Sequence, residues 1–188
     1  MGLKEAKAYL RELRKKQGNP YLWPDFLTGL PEKPAILKKV FEVYDRLGKY
    51  SILYIRIANI QPYLIKYGPE GHADIIQWAA AVLKSAADEC GGFVGAFSTH
   101  DFVAVCDAKK AKTFINSASR LFESKAMEFY TDEDIEKGAV LSFMRGGRKI
   151  DIGFMRLIST EINRKTDIPK ERLIARLGSL CAELEQAL

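Results

Sequence analysis

Two short apolar runs separated by a polar turn mark the middle of the chain. Residues 92–97 and 102–106 are rich in Phe and Val and are bounded by Gly and small polar residues, which is typical of β-strands. The intervening residues 98–101 read Ser-Thr-His-Asp. We expect a β-hairpin within a sheet that is covered on both faces, with this polar turn at an edge of the sheet.

Helices and further strands are predicted on both sides of this hairpin. Apolar residues recur at helical spacing in five segments, residues 3–16, 35–47, 73–83, 109–130 and 170–187. The β-branched residues 51–58 predict a buried central strand with one charge, Arg56. Residues 139–144 and 149–159 predict a second hairpin that turns at Gly146 and Gly147. Residues 131–134, Thr-Asp-Glu-Asp, predict a capped acidic turn whose charges are solvated.

Composition narrows the class of protein. A chain of 188 residues that is 47% hydrophobic and 28% charged suits one domain with a real core. No apolar run is long enough to span a membrane and the start is no signal peptide, so we expect a cytoplasmic protein with no membrane contact. The net charge of +5 is spread over the predicted helices without a nucleic-acid motif, which argues against nucleic-acid binding.

Cysteine and histidine usage argues against metal or redox chemistry. The three cysteines, Cys90, Cys106 and Cys181, have no Cys-x-x-Cys spacing, so we expect buried, reduced thiols. The chain has only two histidines, His72 and His100, which argues against a zinc site.

Two motifs carry a resemblance to a known family. Residues 25–31 read Asp-Phe-Leu-Thr-Gly-Leu-Pro, and residues 98–102 read Ser-Thr-His-Asp-Phe. The first resembles the opening Asp-x-Leu-Thr-Gly-Leu-Pro of GGDEF-domain diguanylate cyclases. The second stands where that family has Gly-Gly-Asp/Glu-Glu-Phe at the tip of a hairpin.

The resemblance covers residues 21–188 and implies the fold. We expect a GGDEF-like domain over these residues, preceded by an N-terminal helix and linker at residues 1–20. The implied class is α+β, with a mixed, largely antiparallel central sheet and helices on both faces, as in the palm-like, ferredoxin-related fold of nucleotidyl cyclases. Family members often dimerise through a helical linker. The helix at residues 3–16 therefore either pairs with a second copy or docks on the domain.

The same resemblance implies that the active-site residues have been replaced. Aligned on the strand at residues 51–58 and the helix at residues 73–83, Arg56 and His100 stand where the family has metal-binding acids. Leu64 and Ala73 stand where the family has guanine-contacting polar residues. In the turn, Ser98 and Thr99 replace the glycines and only Asp101 keeps acidic character. The family's inhibitory Arg-x-x-Asp motif falls on residues 89–92 and is absent.

These replacements remove what the family's reaction requires. Mg²⁺ prefers carboxylate and phosphate oxygens, whereas Arg56 places a permanent cation in the site. A second cation ~4 Å away costs on the order of 1 to 4 kcal/mol. Loss of hydrogen bonds to the base edge costs roughly 1 to 3 kcal/mol more. We therefore expect no metal, no cofactor and no diguanylate cyclase activity.

Three roles remain open for the altered pocket. In the first, Arg56 pairs with Asp101 and the pocket becomes a structural ion pair. In the second, Arg56, Lys66, Ser98 and Thr99 form a metal-free site for a phosphate or nucleotide, since Arg binds phosphate oxygens bidentately. In the third, His100 acts as a general base, although no nucleophile can be named beside it.

Three functions follow from these roles. The leading hypothesis is a catalytically inactive regulatory module in cyclic di-GMP-type signalling, which acts through a protein partner. The alternative is a receptor that binds GTP or cyclic di-GMP without metal. An enzyme of changed chemistry would need a metal site elsewhere in the chain.

Overall fold

A four-stranded antiparallel sheet forms the centre of the structure. The computed structural model describes residues 25–188, and the predicted helix at residues 3–16 lies outside them. The strands of this sheet lie in the spatial order β2-β3-β1-β6 and every neighbouring pair is antiparallel. Their bounds are Tyr50–Ala58 for β1, Phe93–Ala96 for β2, Asp101–Asp107 for β3 and Arg156–Ile162 for β6. The α+β class is confirmed, and the strand order is that of a ferredoxin-like fold.

Six α-helices connect and flank the strands in the described part of the chain. They are α1 (Lys33–Tyr44), α2 (Ile60–Tyr67), α3 (His72–Cys90), α4 (Ala111–Ala126), α5 (Asp132–Lys137) and α6 (Lys170–Gln186). A short 3₁₀ helix, Met127–Phe129, extends α4. Two further strands, β4 (Leu141–Arg145) and β5 (Arg148–Ile152), form a separate hairpin.

The sheet separates two hydrophobic cores, because successive side chains of a strand point to opposite faces. Leu53, Ile55 and Ile57 of β1 belong to the core beneath α3 and α4. Ile52 and Tyr54 belong to the other core, which α1 and α6 cover. The expected sheet with helices on both faces is therefore confirmed.

The loop at residues 25–31 is a self-contained turn that joins this framework. The carboxylate of Asp25 accepts hydrogen bonds from the backbone N–H of Leu27 (3.1 Å) and Thr28 (2.8 Å) and from the Thr28 hydroxyl (2.9 Å). The backbone N–H of Ala96 in β2 donates to the carbonyl of Pro31 at 2.9 Å. This loop thus braces the edge strand of the sheet.

The C-terminal third differs from two expectations. The predicted strand at residues 149–159 is two strands, because Gly153 follows β5 and β6 then pairs with β1 in the main sheet. Thr131 caps α5 by accepting from the Asp134 N–H, and Asp132 and Glu133 are exposed as expected, but the Asp134 side chain is buried. Lys66 and Tyr67 of α2 donate to the Asp134 carboxylate and lower its pKa.

The cysteines are free, as expected. Cys106 and Cys181 are buried and Cys90 is half-buried. Burial raises the pKa of the Cys106 and Cys181 thiols to about 11, so both stay protonated at neutral pH. Within residues 25–188, no helix is both long and apolar enough to cross a membrane.

Close approach of α1 to β2 depends on Gly95. A Cβ at Gly95 would lie 2.5 Å from Cγ1 of Ile36 and 2.7 Å from the Pro31 carbonyl oxygen. We expect Gly95→Ala to lower the free energy of unfolding by about 1–3 kcal/mol, because the backbone must shift to admit the methyl group. Urea unfolding followed by circular dichroism measures this loss.

The matched control is Gly153→Ala, because a Cβ there would meet only the end of the Arg156 side chain, at 3.9 Å. We expect this variant to unfold close to the wild-type midpoint. Equal midpoints for the two variants would contradict the tight contact at Gly95.

Candidate functional site

The strand register brings Arg56 and Asp101 together at one end of the sheet. They are directly opposed residues in the antiparallel pair β1–β3. Since side chains alternate along a strand, Arg56 shares the face of Ile52 and Tyr54, which lies beneath α6. Two charges thus meet at the end of an apolar face.

Arg56 and Asp101 form a bidentate ion pair. The Arg56 Nε atom lies 2.7 Å from Oδ1 of Asp101, and Nη2 lies 3.4 Å from Oδ2. The side chains are only 22% and 13% exposed, so water screens the attraction weakly. Of the three roles expected for this pocket, the ion pair is the one that the side-chain geometry shows.

Glu185 near the end of α6 completes the group. Its Oε2 lies 3.3 Å from Nη1 of Arg56, and its Oε1 accepts from the backbone N–H of Asn59 at 3.2 Å. Arg56 therefore links β1, the hairpin and the C-terminal helix. The hydrogen bond to Asp101 raises the pKa of Arg56, so the guanidinium stays charged.

The hairpin turn orients Asp101. The Ser98 hydroxyl donates to Oδ2 of Asp101 at 2.7 Å, and the backbone N–H groups of Phe97 and Ser98 donate to the Asp101 carbonyl. Burial and the charge of Asp101 raise the pKa of the Tyr54 hydroxyl, so Tyr54 is neutral. The Asp101 carboxylate is thus held by its own turn as well as by Arg56.

His100 points away from this ion pair. Its Nε2 lies 2.7 Å from Nε2 of His72, the first residue of α3. Burial lowers the pKa of His100, and the charge of His72 lowers it further. Its backbone carbonyl accepts from Ile57 at 3.0 Å. The hairpin turn therefore also contacts α3.

Of the remaining predicted site residues, only Ser98 reaches the Arg56 group, through its hydrogen bond to Asp101. Lys66 binds the Asp134 carboxylate and the Val140 carbonyl, so the four-residue anion site is not assembled. Leu64 packs against the core, and Ala73 is exposed in the first turn of α3. Ser98 and Thr99 line a separate cavity of about 330 Å³ beside the start of α1.

Mg²⁺ does not fit the residues at the end of β1. The ion requires oxygen ligands and is repelled by a cation. Arg56 donates to the carboxylates of Asp101 and Glu185, Ser98 also donates to Oδ2 of Asp101, and the Asn59 N–H donates to Oε1 of Glu185, so each carboxylate oxygen already accepts a hydrogen bond. Among residues 25–188, no three acidic, His or Cys side chains are grouped so that they could hold a metal ion.

The comparisons with known proteins are structural, since no family model matches the sequence and no curated protein is similar to it. The coiled coil and GGDEF domain of DgcB from Caulobacter crescentus, solved with c-di-GMP, superposes with a TM-score of 0.60 at 15% identity, over 98% of this chain and 93% of that one. The chain has the fold of a GGDEF domain.

Two Pseudomonas aeruginosa proteins share this GGDEF fold. The GGDEF domain of FimX matches with a TM-score of 0.56 at 14% identity, over 88% of this chain and 94% of that one. Diguanylate cyclase SiaD, solved in complex with its activator SiaC, matches with a TM-score of 0.62 at 12% identity, over 98% of this chain and 65% of that one. At such low identity the likeness shows the fold alone.

Three residues of the site carried no signal in the sequence. Glu185 lies 129 positions from Arg56 in a helix recognised only by its apolar residues, and His72 belonged to no motif. Asn59 has a left-handed backbone with φ of 59°, which Asn tolerates better than most residues. Its side-chain amide donates to the Phe154 carbonyl at 3.2 Å, so it fixes the turn after β1.

A double-mutant cycle measures the Arg56–Asp101 interaction. With Arg56→Met and Asp101→Asn, made singly and together, we expect a coupling of about 1–3 kcal/mol in the free energy of unfolding, because both partners are largely shielded from water. Urea unfolding of the four proteins gives this value.

The control is the cycle of Arg56→Met with Glu185→Gln. The Glu185 side chain is 30% exposed and its contact is longer, so we expect a coupling of only about 0.2–1 kcal/mol. A coupling at Asp101 no larger than that at Glu185 would contradict the central role of the Arg56–Asp101 pair.

Proposed function

We propose that this GGDEF-fold domain is a non-catalytic regulatory module in cyclic di-GMP-type signalling that acts through contacts with a protein partner. The observation that carries the proposal is the guanidinium of Arg56, held by the carboxylates of Asp101 and Glu185 at the end of β1. The same proposal divides the chain into an N-terminal helix and linker at residues 1–20 and a GGDEF-like domain at residues 21–188.

The ion pair argues against cyclase chemistry for a physical reason. Joining two GTP molecules places negative phosphates and a divalent cation in the site, and carboxylates must be free to ligate that cation. Here Arg56 neutralises those carboxylates. A metal could bind only after displacing a partly buried guanidinium and leaving that charge unpaired, which is costly.

The proposed protein partner has support from a structural neighbour. Phe26 and Met144 are exposed, but single exposed apolar side chains are normal on protein surfaces and mark no partner surface. Diguanylate cyclase SiaD, which contains a domain of this fold, was solved in complex with its activator SiaC, and this is consistent with a protein partner.

The geometry favours this role over a metal-free nucleotide receptor. A phosphate group would have to compete with two carboxylates for Arg56, and Lys66 is engaged by Asp134. Ser98 and Thr99 line a cavity beside the start of α1, whose charged lining is two carboxylates, Asp25 and Glu32, against one cation, Lys33.

The first test of the proposal is incubation of the chain with GTP and Mg²⁺, followed by chromatography of the products. We expect no cyclic di-GMP, because the metal has no free carboxylate ligands. An active diguanylate cyclase in the same buffer shows that the assay works. Accumulation of cyclic di-GMP in proportion to the concentration of this chain would refute the proposal.

Calorimetry separates the regulatory module from the receptor. We expect no heat of binding for GTP or cyclic di-GMP at micromolar concentrations, since Arg56 is already paired. Micromolar binding that is lost in Arg56→Ala but retained in Arg172→Ala would favour the receptor instead. Arg172 is the matched control because it is exposed on α6, away from the end of β1.

A further inference from the structure

The contact between His72 and His100 has an unusual geometry. Their Nε2 atoms are 2.7 Å apart while the ring centroids are 5.0 Å apart. The centroid separation exceeds the Nε2–Nε2 distance by about the sum of the two centroid-to-nitrogen distances. The rings therefore meet end to end, and each Nε2 points at the other. This is the arrangement of an N–H···N hydrogen bond, in which one nitrogen donates and the other accepts.

Such a contact tolerates one proton between the two nitrogens and not two. When both histidines are cationic, each Nε2 carries a hydrogen, and neither nitrogen can accept. Two N–H groups and two positive charges would then face each other across 2.7 Å. The contact must open when the second proton binds.

The surroundings of the pair also disfavour the second proton. His100 is half-buried, and burial, His72 and Arg56 all lower its pKa. The carboxylates of Asp101 and Glu185 act in the opposite direction but contribute less than burial and His72.

We propose that the His72–His100 hydrogen bond is a pH-sensitive contact, which holds the hairpin turn against the start of α3 at neutral pH and breaks in mild acid. The proposal does not rest on the function argued above. Release is local, because Ile57 continues to hold the His100 carbonyl and Ser98 continues to hold Asp101. The part of the turn that is freed is Thr99 with the His100 side chain, because Ser98 stays bonded to Asp101; Thr99 is exposed and lines the cavity beside α1.

The sign of the pH effect follows from the lowered pKa of His100. The unfolded chain binds this proton near the ordinary pKa of 6.5, whereas the folded chain binds it only at lower pH. The stabilisation is therefore complete above pH 6.5 and is lost as the pH falls through the pKa of folded His100.

The chain offers a direct test, because these are its only histidines. An NMR titration of the two imidazole rings from pH 8 to pH 5 follows each proton separately. We expect the second proton to bind about tenfold or more weakly than the first, and the backbone resonances of residues 98–100 to shift with that second step. Two independent titrations near the ordinary His value, with an unchanged turn, would overturn the proposal.

The His72→Gln variant tests the coupling without a second titrating ring. A Gln side chain can still accept or donate a hydrogen bond but carries no charge, so we expect the pKa of His100 to rise towards its ordinary value and the turn to lose its pH response. The control is Glu89→Gln, an exposed charge change at the far end of α3, which should leave both titrations as in the wild type. A His100 titration unchanged by His72→Gln would contradict the proposed pH-sensitive contact.

Discussion

The guanidinium of Arg56 in the central strand β1 must be paired, and this requirement determines which side chains lie at this end of the sheet. Arg56 lies on β1 between two neighbouring strands, where a charge without a partner would cost several kcal/mol. Its cross-strand neighbour Asp101 and the helix residue Glu185 supply that partner from different parts of the chain. The need to pair this charge therefore joins β1, the hairpin and α6. The same helix packs closely on Tyr54, because Gly178 has no side chain at the contact.

Because successive side chains of a strand point to opposite faces, the adjacent residues His100 and Asp101 contact different faces of the sheet. Asp101 faces α6 and Arg56, while His100 contacts α3 through His72. A change on either side of the sheet can thus reach the same turn of the chain without passing through the core. This arrangement is compatible with the proposed regulatory role, in which the turn responds to contacts on either face of the sheet.

Local patterns predicted most of the fold and part of the site. The hairpin and β1 follow from short-range alternation, and pairing of β1 with β3 made the Arg56–Asp101 contact foreseeable. Glu185 and His72 were not foreseeable, because their contacts join residues that no periodicity connects. The contact of Lys66 with Asp134 is not predictable, because the sequence does not show that α5 packs beside α2. The predicted strand at residues 149–159 is too long because apolar residues continue across Gly153, as Ile152, Phe154 and Met155.

The family resemblance and the proposed function rest on different parts of the structure. The resemblance rests on residues 25–31, and the proposed function rests on Arg56. Residues 25–31 satisfy their own hydrogen bonds around Asp25 and brace β2, so they serve the framework and say nothing about catalysis. The Arg56 side chain needs only a carboxylate across the strand pair, so its charge leaves that framework intact. Because fold alone does not establish function, the proposed function rests on this charge on β1 and not on the likeness of the whole domain.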